Sequence, residues 1–224
     1  MKERGMIFNG EMVRALLDGR KTQTRRIVKG TDSAVKFCKE WNINGEEFFV
    51  VLGEKDHTGM NPVLGAISCP FGAVGNRIWV REAFRVHSRA TDVATLVYKA
   101  SERNSWTEQT HRVPVAACNK PATPEKWTPS LHMPRWASRI LLEITDVRVE
   151  RLNAISEEDA RAEGIIDGGC LNCGEPEPCG CANPEPDATD AFAYLWQSIY
   201  GQENWNADPW VWVIEFKRVE GGAA

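Results

Sequence analysis

Residues 77–86 carry the pattern that most restricts what this chain can fold into. Apolar and polar side chains alternate there with the period of a strand that has one buried face: Ile78, Val80 and Phe84 lie on one side, and Arg77, Trp79 and Arg81 on the other. Glu82 falls on the apolar side, where a carboxylate is costly unless a partner compensates its charge. The segment therefore predicts a strand and an inward acid that needs a partner.

Weaker patterns divide the rest of the chain into strands, short helices and long loops. Strands are predicted at 6–8, 93–99, 139–149 and 210–218, and helices at 11–18, from Ser156 to Gly164, and at 190–200. We expect one or two strands with loops in 30–75 and mostly loop in the proline-rich stretch 100–135. Five or more strands with few short helices indicate a β-rich α+β fold, and we expect a barrel.

Length and hydropathy limit the class of protein. A chain of 224 residues fits one domain with insertions. Its first residues lack the apolar region of a signal peptide, and no stretch approaches the roughly 18 apolar residues that a membrane span needs. We therefore expect a cytoplasmic protein with no membrane partner.

Charge is distributed unevenly along the chain. The net charge of −4 argues against a general nucleic-acid coat. Residues 1–30 nevertheless carry eight Lys and Arg against three acids, and the basic residues are densest in 19–26, directly after a predicted helix end. Such a turn suits a phosphate or the edge of a base, but it is also typical of a solvated basic loop. Spacing alone leaves both interpretations open.

The basic turn resembles the signature of a known family. Gly19-x-Lys21-x-x-Thr24-x-Arg26 matches the G-x-K-x-x-T-x-R motif of ASCH domains, which are small β-barrels related to the PUA RNA-binding fold. Three further stretches resemble that family, especially its long members from tailed phages and prophages: 8–13, 75–82 and 206–216. The resemblance implies a single PUA-like (ASCH) β-barrel over 1–224, with insertions at about 30–75 and 100–135 and a cysteine-rich insertion at about 167–186.

The resemblance also implies an activity. A bacterial subgroup of ASCH proteins hydrolyses the acetyl amide of N4-acetylcytidine with a Lys, a Thr and a Glu. Lys21 and Thr24 occupy the first two motif positions, and Glu82 is the best candidate for the third. Thr24 would attack the carbonyl, Lys21 would act as base if burial lowered its pKa, and Glu82 would shuttle the proton. Because Lys21 and Thr24 would point to opposite faces of a regular strand, this chemistry requires a turn or bulge there.

Two other interpretations stay open. The chain could be a non-catalytic module that binds RNA or a nucleotide, or a phage accessory protein with a vestigial pocket. For the amidohydrolase and for the binding module, the partner would be a modified nucleoside or RNA. The candidate nucleotide-binding residues are basic or aromatic: Arg25, Arg26, Trp79, Arg81, Arg135 and Trp136. For Arg135 and Trp136 a structural role, with Trp136 leading a strand into the core, is equally compatible with the sequence.

Four cysteines lie within twelve residues of a segment that is poor in core residues: Cys170, Cys173, Cys179 and Cys181. Such a segment cannot bury enough apolar surface to order itself, whereas a tetrahedral zinc ion held by four thiolates would fix it. A structural zinc site is therefore predicted. Free thiols or disulfides are the alternatives, and nothing suggests a catalytic metal.

Overall fold

The computed structural model describes residues 2–31, 33–166 and 188–219. The strands in this part of the chain are β1 (Glu3–Ile7), β2 (Gln23–Ile27), β3 (Lys36–Trp41), β4 (Glu47–Leu52), β5 (Val63–Ile67), β6 (Arg77–Arg81), β7 (Phe84–Arg89), β8 (Val93–Tyr98), β9 (Thr110–Pro114), β10 (Leu141–Arg151) and β11 (Trp210–Arg218). The α-helices are α1 (Gly10–Leu17), α2 (Trp106–Gln109), α3 (Glu157–Ala162), α4 (Ala188–Tyr200) and α5 (Gln202–Asn206).

The chain forms two compact units, each assembled from separate segments. The first unit consists of Met1–Gly19, Gly75–Glu143 and Lys217–Ala224, and the second of Arg20–Val74 and Ile144–Phe216. The chain thus passes from one unit to the other several times, and neither unit is a continuous stretch of sequence.

The first unit contains three paired strands of mixed direction and a separate antiparallel sheet. Strand β1 runs parallel to β6, and the start of β10 runs antiparallel to the other edge of β6. Strands β7, β8 and β9 form an antiparallel three-stranded sheet in that order. Its buried face carries the apolar core of this unit, which includes Phe84, Leu96, Tyr98 and Met133.

The second unit pairs β11 with β2 and adds a meander. Strand β2 lies antiparallel to β11, with Thr24 opposite Ile214, and β11 neighbours β10. Strands β3, β4 and β5 form an antiparallel sheet. The apolar side of α4, with Phe192 and Trp196, packs on Val211 and Val213 of β11, so this strand is buried on both faces there, with Trp212 and Ile214 on the other.

Helix α1 ends where the sequence predicts. Asn9 caps its first turn by accepting a hydrogen bond from the Met12 backbone N–H at 2.8 Å. After Asp18, Gly19 adopts a φ of +76°, a left-handed conformation that favours glycine and terminates the helix. The change of direction at Gly19 leads the chain directly into the basic segment.

The β-rich α+β class is confirmed, and several details differ from the expectations. Within the described residues the sheets are open and no closed barrel forms. Segment 77–86 is two strands, because Phe84 leaves β6 to pair with Tyr98 in another sheet. Stretch 30–75 holds three strands, and 100–135 contains β9 and α2. No helix in the described chain is long and apolar enough to cross a membrane.

A close approach between β1 and β6 generates a stability prediction. A Cβ placed on Gly5 would lie 2.5 Å from one atom of the Trp79 ring and 2.7 Å from another. We expect Gly5→Ala to lower the free energy of unfolding by about 1–3 kcal/mol, because the ring must shift against its packing. Chemical denaturation would measure the change.

Gly65 in β5 provides the matched control, since a Cβ there meets no atom within 4 Å. Gly65→Ala should be neutral or slightly stabilising. Equal effects of the two substitutions would contradict the role of the Gly5–Trp79 approach.

Candidate active site

The basic turn places Lys21 beside the C-terminal end of α3. Lys21 and Glu163 form an isolated antiparallel bridge. The backbone N–H of Thr22 donates to the carbonyl of Ala162 at 2.8 Å. Lys21 therefore precedes the regular strand β2, and two backbone contacts fix it next to an acid 142 residues away in sequence.

Lys21 and Glu163 form a buried ion pair. The Nζ of Lys21 lies 2.6 Å from Oε2 of Glu163, and the side chains are 0% and 2% exposed. The same Nζ donates to the backbone carbonyl of Glu163 at 2.8 Å. Burial lowers the pKa of Lys21 below its usual range; Glu163 opposes this shift, and the charges of Arg26 and Arg25 add to it.

Arg25 extends this pair into a network. Its Nη2 lies 2.7 Å from Oδ2 of Asp159, and its Nη1 lies 3.4 Å from Oε1 of Glu163. Arg148 donates to both oxygens of Asp159 at 3.1 Å. We call Lys21, Arg25, Arg148, Asp159 and Glu163 the buried ionic network, after its fully buried members Lys21, Arg25 and Glu163; Arg148 and Asp159 are partly exposed. All five belong to the second unit.

Asp159 is the acid that joins the two arginines. Burial acts to raise the pKa of its carboxyl group, but the hydrogen bond and charge of Arg25 and the charge of Arg148 outweigh it and hold the pKa below its usual value. Asp159 is thus charged over the whole neutral range and orients both guanidinium groups.

Thr24 is buried in β2. Its neighbours along the strand are Gln23 and Arg25, and Arg25 belongs to the network. Gln23 donates to the Asp159 carbonyl at 2.7 Å, and Arg25 contacts the Asp159 carboxylate, so both side chains leave the strand toward α3. Because side chains alternate along a strand, Thr24 leaves the opposite face. Among the described residues no hydrogen bond engages its hydroxyl. The turn at Lys21 therefore does not by itself bring Thr24 to the Lys21 amine.

Glu82 is held by a different partner, within the first unit. Its side chain is 3% exposed, and Arg139 clamps both carboxylate oxygens, with Nε at 2.9 Å and Nη2 at 3.1 Å. Burial raises the pKa of Glu82, and Arg139 partly offsets that rise. The inward acid predicted from the alternation thus has a partner, whereas the acid paired with Lys21 is Glu163.

Three of the predicted nucleotide-binding arginines contact aromatic residues. The guanidinium of Arg81 lies 5.3 Å from the ring centre of Trp79, and it donates to the carbonyl of Leu131. Arg26 lies 3.4 Å from the hydroxyl of Tyr200. Arg25 lies 5.8 Å from the ring centre of Phe192, but it has no exposed side-chain surface and pairs with carboxylates, so it acts inside the protein.

Arg135 and Trp136 take part in packing and surface pairing. Arg135 pairs with Glu3 at 2.8 Å. The Trp136 ring packs edge-on against Phe84 at 6.2 Å and joins the core of the first unit. These contacts favour the structural interpretation of Trp136.

The four cysteines of the predicted zinc site, Cys170, Cys173, Cys179 and Cys181, lie outside the described residues. Within the residues that are described, no cluster of three or more His, Cys, Asp or Glu side chains could hold a metal. The zinc site stays a prediction.

Sequence reasoning missed the acids that meet the basic turn. Asp159 and Glu163 are four residues apart, the spacing that places two side chains on one face of a helix and its end. The predicted capping of this helix by Ser156 is present, with Ser156 Oγ accepting from the Asp159 N–H at 3.1 Å. The sequence signal for these partners was the presence of two acids on one helical face in a chain whose basic turn had no acidic partner nearby in sequence.

The depressed pKa of Asp159 predicts how stability depends on pH. Because the folded state binds the Asp159 proton more weakly than the unfolded state, its contribution to stability is present above the ordinary aspartate pKa of 3.8 and is lost as pH falls through the folded-state pKa. Urea unfolding from about pH 6 to about pH 3 should therefore show stability falling less steeply in Asp159→Asn than in the wild type. The exposed acid Asp190 supplies the control; if Asp190→Asn flattened the curve equally, the role of Asp159 would be refuted.

Comparison with known proteins identified no similar protein. No family model matches the chain, and no curated protein or solved structure matches it either.

Proposed function

We propose that this protein is a nucleoside- or RNA-directed amidohydrolase of the ASCH type, in which Lys21 and Glu163 transfer the protons. The observation that carries the proposal is the buried pair at 2.6 Å within the motif segment. A buried lysine with a lowered pKa is the kind of base that amide hydrolysis requires at neutral pH. Glu163 takes the role for which the sequence alone favoured Glu82.

The pair can rearrange its proton without solvent. Transfer of the proton from Lys21 Nζ to Glu163 Oε2, across 2.6 Å, converts two buried charges into a neutral amine and a neutral acid. Burial favours that exchange because it penalises both charges. The amine can then accept a proton from the nucleophile, and the acid can donate one to the leaving group.

The reaction proposed for this pair has two steps. Thr24 Oγ attacks the acyl carbon while its proton passes to Lys21, and the C–N bond breaks as Glu163 protonates the leaving amine. Water then attacks the acyl-threonine ester, gives a proton to Glu163, and releases the carboxylic acid as Lys21 returns its proton to Thr24. Both side chains end in their starting protonation states.

This chemistry requires the site to open. Lys21, Thr24 and Glu163 are all at most 3% exposed, and the strand geometry directs Thr24 away from Lys21. A single movement of segment 21–24 must therefore admit the substrate and turn the Thr24 hydroxyl toward the amine. A water molecule activated by Lys21 is the competing nucleophile, and substitution of Thr24 distinguishes the two.

Turnover of N4-acetylcytidine tests the proposal. Purified protein should release acetate and cytidine. Lys21→Met and Glu163→Gln should each lower kcat by about 10²–10⁴-fold, the usual loss when a proton-transfer group is removed, and Thr24→Val should lower it at least as much because it removes the nucleophile. Acetate release is measured by an enzyme-coupled assay, and a thermal melt of each variant establishes that it folds.

Glu82→Gln is the matched control, since Glu82 is an equally buried acid with an arginine partner. It should keep turnover. Loss of activity in Glu82→Gln with retention in Glu163→Gln would reassign the carboxylate, and retention in Thr24→Val would identify water as the nucleophile. Binding without turnover would support the non-catalytic module.

A further inference from the structure

A large cavity in the first unit is used by none of the chemistry above. Its volume is about 830 Å³, within the range of small-molecule sites. It is lined by segments far apart in sequence, among them Asn9, Glu82, Lys99, Arg103 and Ser130. The first unit therefore brings three chain segments, around 8–14, 82–104 and 130, to one concave surface.

The lining of this cavity includes Glu82, whose carboxylate is 3% exposed and is fixed in position. Arg139 holds the Glu82 carboxylate from one side, and it is itself fixed by Ser101 Oγ at 2.9 Å and the Glu108 carbonyl at 3.2 Å. The Arg139 guanidinium also lies 4.0 Å from the ring centre of Tyr98. Each carboxylate oxygen has a second lone pair, so Glu82 can accept a further hydrogen bond from an N–H group without losing Arg139.

The remaining charged side chains of the lining favour an anion. With Glu82 neutralised by Arg139, the remaining cations outnumber the acids: Arg14, Lys99 and Arg103 against Glu11 and Glu102. Lys99 and Arg103 are exposed and make no ion pair with any residue that the structure describes. The first residues of α1, Gly10 and Glu11, also line the cavity, and a helix start adds partial positive charge.

We propose that this cavity binds a nucleotide, with an N–H group of the base at Glu82 and the phosphate near Lys99 and Arg103. The Glu82 carboxylate is a fixed acceptor that suits an N–H group of the base. Lys99 and Arg103, which make no ion pair with a described residue, and the start of α1 suit the phosphate. The volume leaves room for base, sugar and phosphate together. This site is independent of the proposed hydrolysis, because it uses no residue of the buried ionic network.

Isothermal titration calorimetry on the full chain tests the site with the four common nucleoside monophosphates, their nucleosides and inorganic phosphate. At least one monophosphate should bind, with its nucleoside and inorganic phosphate each at least about tenfold weaker. Arg103→Ser should weaken the monophosphate about tenfold or more, the usual effect of losing a charged hydrogen bond. Asn104→Trp, an exposed lining position, should abolish binding by filling the cavity.

Arg112→Ser is the matched control, because Arg112 is an exposed cation of β9 that does not line the cavity. The Arg112→Ser variant should bind the nucleoside monophosphate as tightly as the wild type does. The proposal is overturned if no monophosphate binds, if inorganic phosphate binds equally well, or if Asn104→Trp binds normally. Loss of binding in Lys21→Met together with retention in Asn104→Trp would also overturn it, by assigning the nucleotide to the second unit.

Discussion

A lysine with no exposed side-chain surface can be tolerated in a folded protein only where the surrounding groups compensate its charge or remove its proton. Lys21 is in that position, and much of the second unit is arranged around it. Its amine meets Glu163 by both side chain and backbone carbonyl, Arg25 shares the same carboxylate, and Asp159 fixes Arg25. Removing one partner would leave an uncompensated buried charge, at a typical cost of about 3–5 kcal/mol.

Such an arrangement is a weak source of stability, because desolvation of the charges offsets most of their attraction. Apolar residues of similar volume would hold β2 against α3 at least as well. What the network supplies instead is a lysine whose pKa is depressed by burial next to an acid that can take its proton. That property is useful for proton transfer, and this is why the hydrolytic proposal rests on the pair and not on the basic turn as a whole.

Local patterns in the sequence predicted much of the fold, since they depend only on neighbouring residues. Alternation identified β6 and β11, and the end of α1 at Gly19 followed from glycine geometry. The long-range partners of buried charged side chains could not be predicted from such local patterns. The sequence favoured Glu82 and missed Glu163, and only long-range pairing, of Glu82 with Arg139 at a separation of 57 residues and of Glu163 with Lys21 at 142, distinguishes the two acids. The break after β6 was missed for the same reason, because it is caused by the pairing of Phe84 with β8.

The interleaving of the two units constrains how the chain can fold during synthesis. Strand β1 is made first but lies parallel to β6, which follows only after β2 to β5 of the other unit have been made. The second unit likewise waits for β11 before β2 has its neighbour. Both units therefore depend on contacts of high sequence separation, which slow folding and expose unpaired strand edges while the chain waits. Neither unit can be obtained by cutting the gene at one point.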